Sequence, residues 1–187
     1  MFDLVPLSEY ANLKGGYAFK SRDFIEDGDY PVIKIKNVRH GFINYKESSF
    51  IKQEVATQAK NFVTKNGDIL ISMTGSGPNA PSSVVGRVGR VGKDDPSAFI
   101  NQRVGRIELQ DQKKIDQDFI YYCLSSKQSA DYLVSLSTGS ANQANISPET
   151  ICSLPVPKIS FEESKKIGSI LKKFDEKIFL NQKMNKT

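Results

Sequence analysis

The side chains best suited to contacting a polyanion come in short clusters. Arg87 and Arg90 sit in a triplet repeat, Val85-Gly86-Arg87, Val88-Gly89-Arg90, Val91-Gly92-Lys93. A guanidinium forks onto two acceptors, whether phosphate oxygens or the edge of guanine. A period of three suits neither strand nor helix. Its glycines predict bulges or a hairpin that turns successive basic residues outward. The plainer alternative is a twisted edge hairpin with solvated arginines. Asn101, Gln102 and Arg103 are residue types that read adenine and guanine edges, and ordinary loop side chains as well. Lys20, Ser21 and Arg22 follow Gly15-Gly16-Tyr17-Ala18-Phe19 and are exposed candidates for phosphate contact. Lys34 and Lys36 alternate with Ile33 and Ile35, which puts both amines on one face of a strand. Thr74, Ser76 and Asn79 belong to a Gly/Ser/Asn/Pro stretch over 74–81 that suits a loop lying close to a ligand's backbone.

Residues for catalysis are sparse. His40 is the only histidine, which argues against a His-based triad or a multi-histidine metal site. Cys123 and Cys152 form no C-x-x-C pair and read as buried free thiols. Gly75-x-Gly77-x-x-Ala80 imitates a dinucleotide fingerprint, but the glycine-punctuated, strand-like Ser82–Val91 follows where a helix is required. Asp111-Gln112-Lys113 is the nearest approach to a metal-dependent nuclease and lacks the upstream acid. The reading is therefore a binding chain with no catalytic and no metal residues.

Composition agrees without deciding. The 187 residues suit one domain with an appendage, and 39% hydrophobic content is enough for a core. The net charge of +5 is compatible with nucleic acid but not diagnostic of it. No apolar run approaches a membrane span, and Met1-Phe2-Asp3-Leu4 has no signal-peptide pattern, so the cytoplasm is the expected location.

The elements that would position these clusters follow from pattern. Residues 4–13 suit a short helix or an irregular lead-in. Tyr17 and Phe19 read as core aromatics at a strand start. Residues 31–38 alternate as a half-buried strand, Ile69–Met73 is a buried strand, and residues 99–109 form another. A short helix is expected near 53–60, and two more over 116–125 and 127–136. Residues 137–147 are small and polar. Ser147-Pro148 suits a helix start with proline in first position, and 151–159 reads as a last strand. Ser160 and Glu163 form a capping box. Beyond it Ile167, Leu171, Phe174 and Ile178 recur at heptad spacing, with polar Asn181 and Asn185 next on the seam. A helix of about 25 residues reaches roughly 38 Å. An assembly helix and a terminal helix lying on its own domain are both open readings.

Taken together, these segments resemble the specificity (S) subunits of type I restriction–modification enzymes over nearly the whole chain. The resemblance rests on Gly16–Ser21, Pro31–Asn37, Gly67–Gly75, Asn101–Ile107, Gly139-Ser140-Ala141 with Asn145-Ile146-Ser147, Leu154–Pro157, Glu162–Ile170 and Asp175–Gln182. It implies an α+β, strand-rich target-recognition domain over 1–158 and a conserved-region helix of coiled-coil type over 159–187. It implies sequence-specific reading of duplex DNA at one half of a split site. The implied partners are methyltransferase subunits that methylate adenine N6, restriction subunits, and a second S half or a second copy paired through the helix. S-adenosylmethionine, ATP and Mg²⁺ would belong to those partner subunits. A whole S subunit has two recognition domains, so this chain corresponds to a half-subunit or a fragment. Gly75, Gly139 and Asn145 then more naturally set loop shape or subunit docking than read bases. The rival readings are a protein-interaction module that uses only the helix, a small nuclease, and the recognition end of a fused methyltransferase.

Overall fold

The computed structural model describes residues 2–76, 85–140 and 143–185. Asn79 lies outside them. The chain opens with β1 (Leu4–Pro6), a 3-10 turn over Leu7–Glu9, and β2 (Ala11–Gly15). The short helix allowed for 4–13 is therefore not formed. Alternation from Ala11 to Leu13 puts two apolar side chains into the core, which a strand accommodates and one helical turn does not.

Next come β3 (Phe24–Ile25), β4 (Pro31–Ile33), β5 (Ser49–Ile51) and helix α1 (Gln53–Gln58). The strand expected over 31–38 stops at Ile33 and gives way to a 3-10 turn at Ile35–Asn37. The cause is Asn37, only 1% exposed. Its Oδ1 accepts from Lys34 N at 2.9 Å and its Nδ2 donates to Asn44 O at 2.8 Å. A buried amide satisfied in this way outcompetes the ladder.

The middle of the fold is β6 (Ile69–Ser72), followed by β7 (Thr74–Gly75), β8 (Val88–Arg90), β9 (Phe99–Ile100) and β10 (Val104–Leu109). The four strands β2-β10-β6-β8 form one antiparallel sheet. Every residue of β6 is buried because the sheet is covered on both faces. Ile69 and Ile71 join a cluster with Phe119, Ile120, Leu124 and Leu133. Leu70, between them, joins Ile33, Val38, Ile43 and Ile100. That second cluster leads to the other four-stranded sheet, β3-β5-β4-β9. Phe19, Val32, Ile51 and Phe99 pack there with Ala56 of α1 and with the half-buried Tyr17, as expected for core aromatics.

Helices α2 (Gln117–Ser125) and α3 (Lys127–Ser135) fall where the pattern puts them. Asp116 accepts from Phe119 N at 3.0 Å and Ser126 from Ser129 N at 3.1 Å, each satisfying an orphan donor of the first turn. The small polar stretch becomes a hairpin, β11 (Thr138–Ser140) and β12 (Gln143–Asn145), added to β7. Helix α4 (Pro148–Cys152) starts on Ser147, and β13 (Pro155–Pro157) pairs antiparallel with β1.

The last element is α5 (Phe161–Met184). Its capping box is formed: Glu163 N donates to Ser160 Oγ at 3.3 Å, and Ser160 N donates to Glu163 Oε2 at 3.3 Å. Ser160 Oγ also donates to Glu163 Oε2 at 2.7 Å. The hydroxyl bond, and then the backbone bond, hold the Glu163 carboxyl below its ordinary pKa. The first half of α5 lies on α2. Asp116 N donates to the fully buried Ser164 Oγ at 3.1 Å, and Gly168 faces the same N-terminus. Lys172 reaches Asp118 at 3.3 Å and Tyr122 Oη donates to Asp175 Oδ2 at 2.8 Å. The docking face thus runs through Ser164, Gly168, Lys172 and Asp175, beside the apolar seam rather than on it. Ile167 packs against the core and Leu171 is half-buried. Phe174 and Ile178 are 59% and 54% exposed, and Asn181 is exposed as well.

Candidate nucleic-acid interface

The antiparallel sheet decides which clusters meet. Strands β2 and β6 end, and β10 and β8 begin, at the same end of the sheet. The segments leaving that end are 16–22, 73–76, 85–87 and 101–103. Cross-links tie them together. Gln102 N donates to Tyr17 O at 2.9 Å, Met73 N to Arg103 O at 2.9 Å, and Ile146 N to Met73 O at 2.9 Å. Ser72 Oγ accepts from Arg87 N at 3.1 Å. Segments far apart in the chain thereby present one continuous edge.

On that edge Gln102 and Arg103 are exposed, while Asn101 Oδ1 turns back to accept from Arg103 N at 3.3 Å. The strand expected over 99–109 is broken here into β9 and β10, because these polar residues make a turn. Lys20, Ser21 and Arg22 are exposed, on a 3-10 turn that Asp23 closes by accepting from Lys20 N at 2.7 Å. Thr74 and Ser76 are half-buried beside the β11–β12 hairpin, and the Thr74 hydroxyl has no hydrogen-bond partner among the described residues.

The two lysines of the truncated strand part company. Lys34 Nζ donates to Ser49 Oγ at 2.9 Å and lies 3.7 Å from the centre of the Phe24 ring. Burial, with Lys36 nearby, lowers its pKa. Lys36 is exposed, 3.8 Å from Glu47. The single wet face expected for both is not there, since the backbone turns between them.

The triplet repeat also differs from expectation. It is not a bulged hairpin that turns its arginines outward. It is the edge strand β8, with a neighbouring turn laid across it. A Cβ on Gly89 would stand 2.7 Å from Phe42 O and 2.9 Å from Arg39 O, so only glycine admits that turn. Arg90 points to the helices. Its Nη2 meets Asp118 Oδ1 at 2.7 Å and its guanidinium stacks 4.1 Å from the Tyr121 ring centre. It lines a cleft of about 770 Å³ with Tyr122, Lys172, Asp175 and Phe179, away from the loop edge. Arg87 stays at the edge, half-buried, its Nη1 3.4 Å from Val38 O. Arg39, near enough to act on the charge of Arg87, stands in no sequence motif.

Among the described residues no group of three His, Cys, Asp or Glu side chains is placed to hold a metal. Both cysteines are free, and burial pushes the Cys123 thiol up to about 12. Nor is any helix of the described residues long and apolar enough to cross a membrane.

A family model described as the type I restriction modification DNA specificity domain matches residues 2–187. The chain belongs to this family. Solved structures share the fold of this specificity domain. The S subunit of the type I restriction-modification system of M. genitalium superposes with a TM-score of 0.64 at 22% identity, over 94% of this chain and 39% of that one. The HsdS subunit from Thermoanaerobacter tengcongensis gives 0.61 at 16% identity, over 98% and 39%. A chain from a study of complex assembly and conformational transition in the type I R-M system gives 0.66 at 16%, over 98% and 40%. The specificity domain thus spans about two fifths of the length of each. No curated protein sequence matches it.

Proposed function

We propose that this specificity domain is the duplex-DNA recognition module of a type I restriction–modification complex, reading one half of a split site. The observation that carries this reading is the single edge on which Lys20, Ser21, Arg22, Arg87, Gln102 and Arg103 gather from separate segments. Exposed amides and guanidiniums on a rigid sheet end supply both kinds of contact that duplex DNA requires, positioning on phosphates and reading of base edges. Thr74 and Ser76 belong to the segment beside them, and Asn79 follows them in the sequence.

In this reading the chain performs no chemistry and works in the cytoplasm. Methyltransferase subunits bring S-adenosylmethionine and a pocket for the flipped adenine, and restriction subunits bring ATP and Mg²⁺. Helix α5 is the assembly element. Its outer half offers Phe174, Ile178, Leu180 and Met184 to solvent, which suits a second helix from another S half or a second copy of this chain. The same exposed stripe favours the rival reading, a module whose only partner surface is the helix.

The deciding experiment expresses the chain with its cognate modification subunit and maps N6-methyladenine across a plasmid at single-base resolution. Methylation at one split, inverted-repeat site is the expected result for a self-paired half-subunit. A stable complex that methylates nothing would refute the half-subunit form. Absence of both complex and methylation would move the interaction-module reading ahead.

A further inference from the structure

Arg39 sits on a turn whose backbone is fixed from three sides. Arg39 N donates to Phe42 O at 3.0 Å, which closes the turn, and Gly41 N donates to Val88 O at 3.2 Å, which pins it to β8. Below it, buried Asn37 ties Lys34 to Asn44. The bare face of Gly89 admits the carbonyls of Arg39 and Phe42. The Arg39 side chain is half-exposed and forms no hydrogen bond or ion pair among the described residues.

Arg87 approaches from the opposite side. Its Nη1 rests on Val38 O, the carbonyl of the peptide that leads into Arg39. Its Nε is withdrawn from solvent and has no partner among the described residues. No carboxylate of those residues lies within ion-pair distance of either arginine, and residues 77–84 contain no Asp or Glu. Burial and the neighbouring Arg39 together lower the affinity of Arg87 for its proton. The Arg87 guanidinium thus lies on the peptide that carries Arg39, near enough for the two charges to repel, and the cost grows as they lose water. The other half-buried arginines of the sheet do have acidic partners: Arg90 has Asp118, and Arg106 has Asp68 and Glu108.

We infer that Arg39 and Arg87 form a clamp for a single backbone phosphate of the bound duplex, a site that rests on the DNA-recognition reading above and adds Arg39 to it. A phosphodiester offers two non-bridging oxygens, one for each guanidinium, and its charge removes the repulsion between them. A guanine edge takes only one planar fork, so a pair carried on two neighbouring segments is better matched to phosphate.

The test is the salt dependence of binding to a short duplex of arbitrary sequence, since phosphate contacts are sequence-independent. Each phosphate contact contributes about 0.9 to the slope of log K against log salt. Arg39→Gln and Arg87→Gln should each lower the slope by up to about that amount, and the double variant by no more than about 0.9 in total. Arg39→Lys and Arg87→Lys keep the charge and should restore the slope. Arg90→Gln, whose guanidinium is held by Asp118, should leave it unchanged.

A double variant that loses about twice 0.9 would mean two separate phosphates and would overturn the clamp. Unchanged slopes, or an equal loss for Arg90→Gln, would overturn it too. If Arg87→Gln lowers the unfolding midpoint, Arg39→Gln and the two lysine variants carry the decision. Failure of the wild-type chain to bind duplex would sink the recognition reading and the clamp with it. Wild-type binding with indifferent variants would sink the clamp alone.

Discussion

Gly168→Ala sets two arguments against each other. Pattern alone counts glycine in a helix interior as a defect, and alanine there should gain about 1 kcal/mol. The structure reverses the sign. A Cβ on Gly168 would stand 2.8 Å from Phe119 N and 3.1 Å from Asp118 Cβ, with Asp116 Oδ1 closer still. Those atoms are backbone and the cap of α2, not the far end of a flexible side chain. To admit the methyl, Asp116 must leave Phe119 N and α5 must also lift from α2, because Phe119 N itself stands too close. Overpacking costs about 1–3 kcal/mol and loss of an Asp cap about 1 kcal/mol. After the propensity gain, a net destabilisation of about 1–3 kcal/mol remains. For a chain of this size that lowers Tm by about 2–4 °C per kcal/mol. Urea unfolding is the assay, with Ser169→Ala on the exposed face as the control. The control should be neutral or slightly stabilising, since Ser169 only bonds back to Lys166 O at 2.9 Å. A Gly168→Ala variant as stable as wild type would show that α5 is not seated on α2 as described.

The outer half of α5 and its inner half should respond differently to change. Phe174→Asp with Ile178→Asp should abolish self-association in sedimentation while the unfolding midpoint holds within about 0.5 kcal/mol, as for exposed sites. An unchanged oligomeric state would remove the stripe from consideration as an intermolecular surface. Alkaline pH probes the face of α5 docked on α2. Burial, and then the bond to Asp175, raises the Tyr122 pKa above its ordinary 10.0. A raised pKa means stability that is full below pH 10 and is lost as pH rises toward the folded value. Tyr122→Phe should therefore flatten the alkaline decline of the unfolding midpoint. Superimposable wild-type and variant profiles would contradict the assignment.

What the sequence made legible was local. Helices α2, α3 and α4, the capping box at Ser160 and the buried run of β6 each carry their own start signal or unbroken apolar pattern. What it hid was non-local. Alternation through Lys36 reads as strand until Asn37 finds Asn44 across a turn. Residues 138–140 and 143–145 carry almost no apolar signal and become strands only because β7 offers an open edge. Arg87 and Arg90 look equivalent in a triplet repeat, yet Arg90, the last residue of β8, faces Asp118 and Tyr121 while Arg87, just before the strand, stays at the loop edge. Arg39 stands in no pattern, and only the bare face of Gly89 brings it to Arg87. The family was legible because order and spacing of many weak segments survive even where each segment is ambiguous.

The pairing of Leu4 with Pro157 and Pro6 with Pro155 has a consequence for how such a module is exchanged. The chain comes in and goes out through adjacent strands, whose Cα atoms sit about 5 Å apart. Everything that lies between, including the whole loop edge, is a closed loop hung from that clasp. The outgoing strand reaches α5 within a few residues. A different body with the same clasp can therefore be spliced onto the same helix, with only the seat of α5 on α2 to rebuild. New binding preferences can then be acquired wholesale, by recombination at two neighbouring points, rather than by changing one contact at a time.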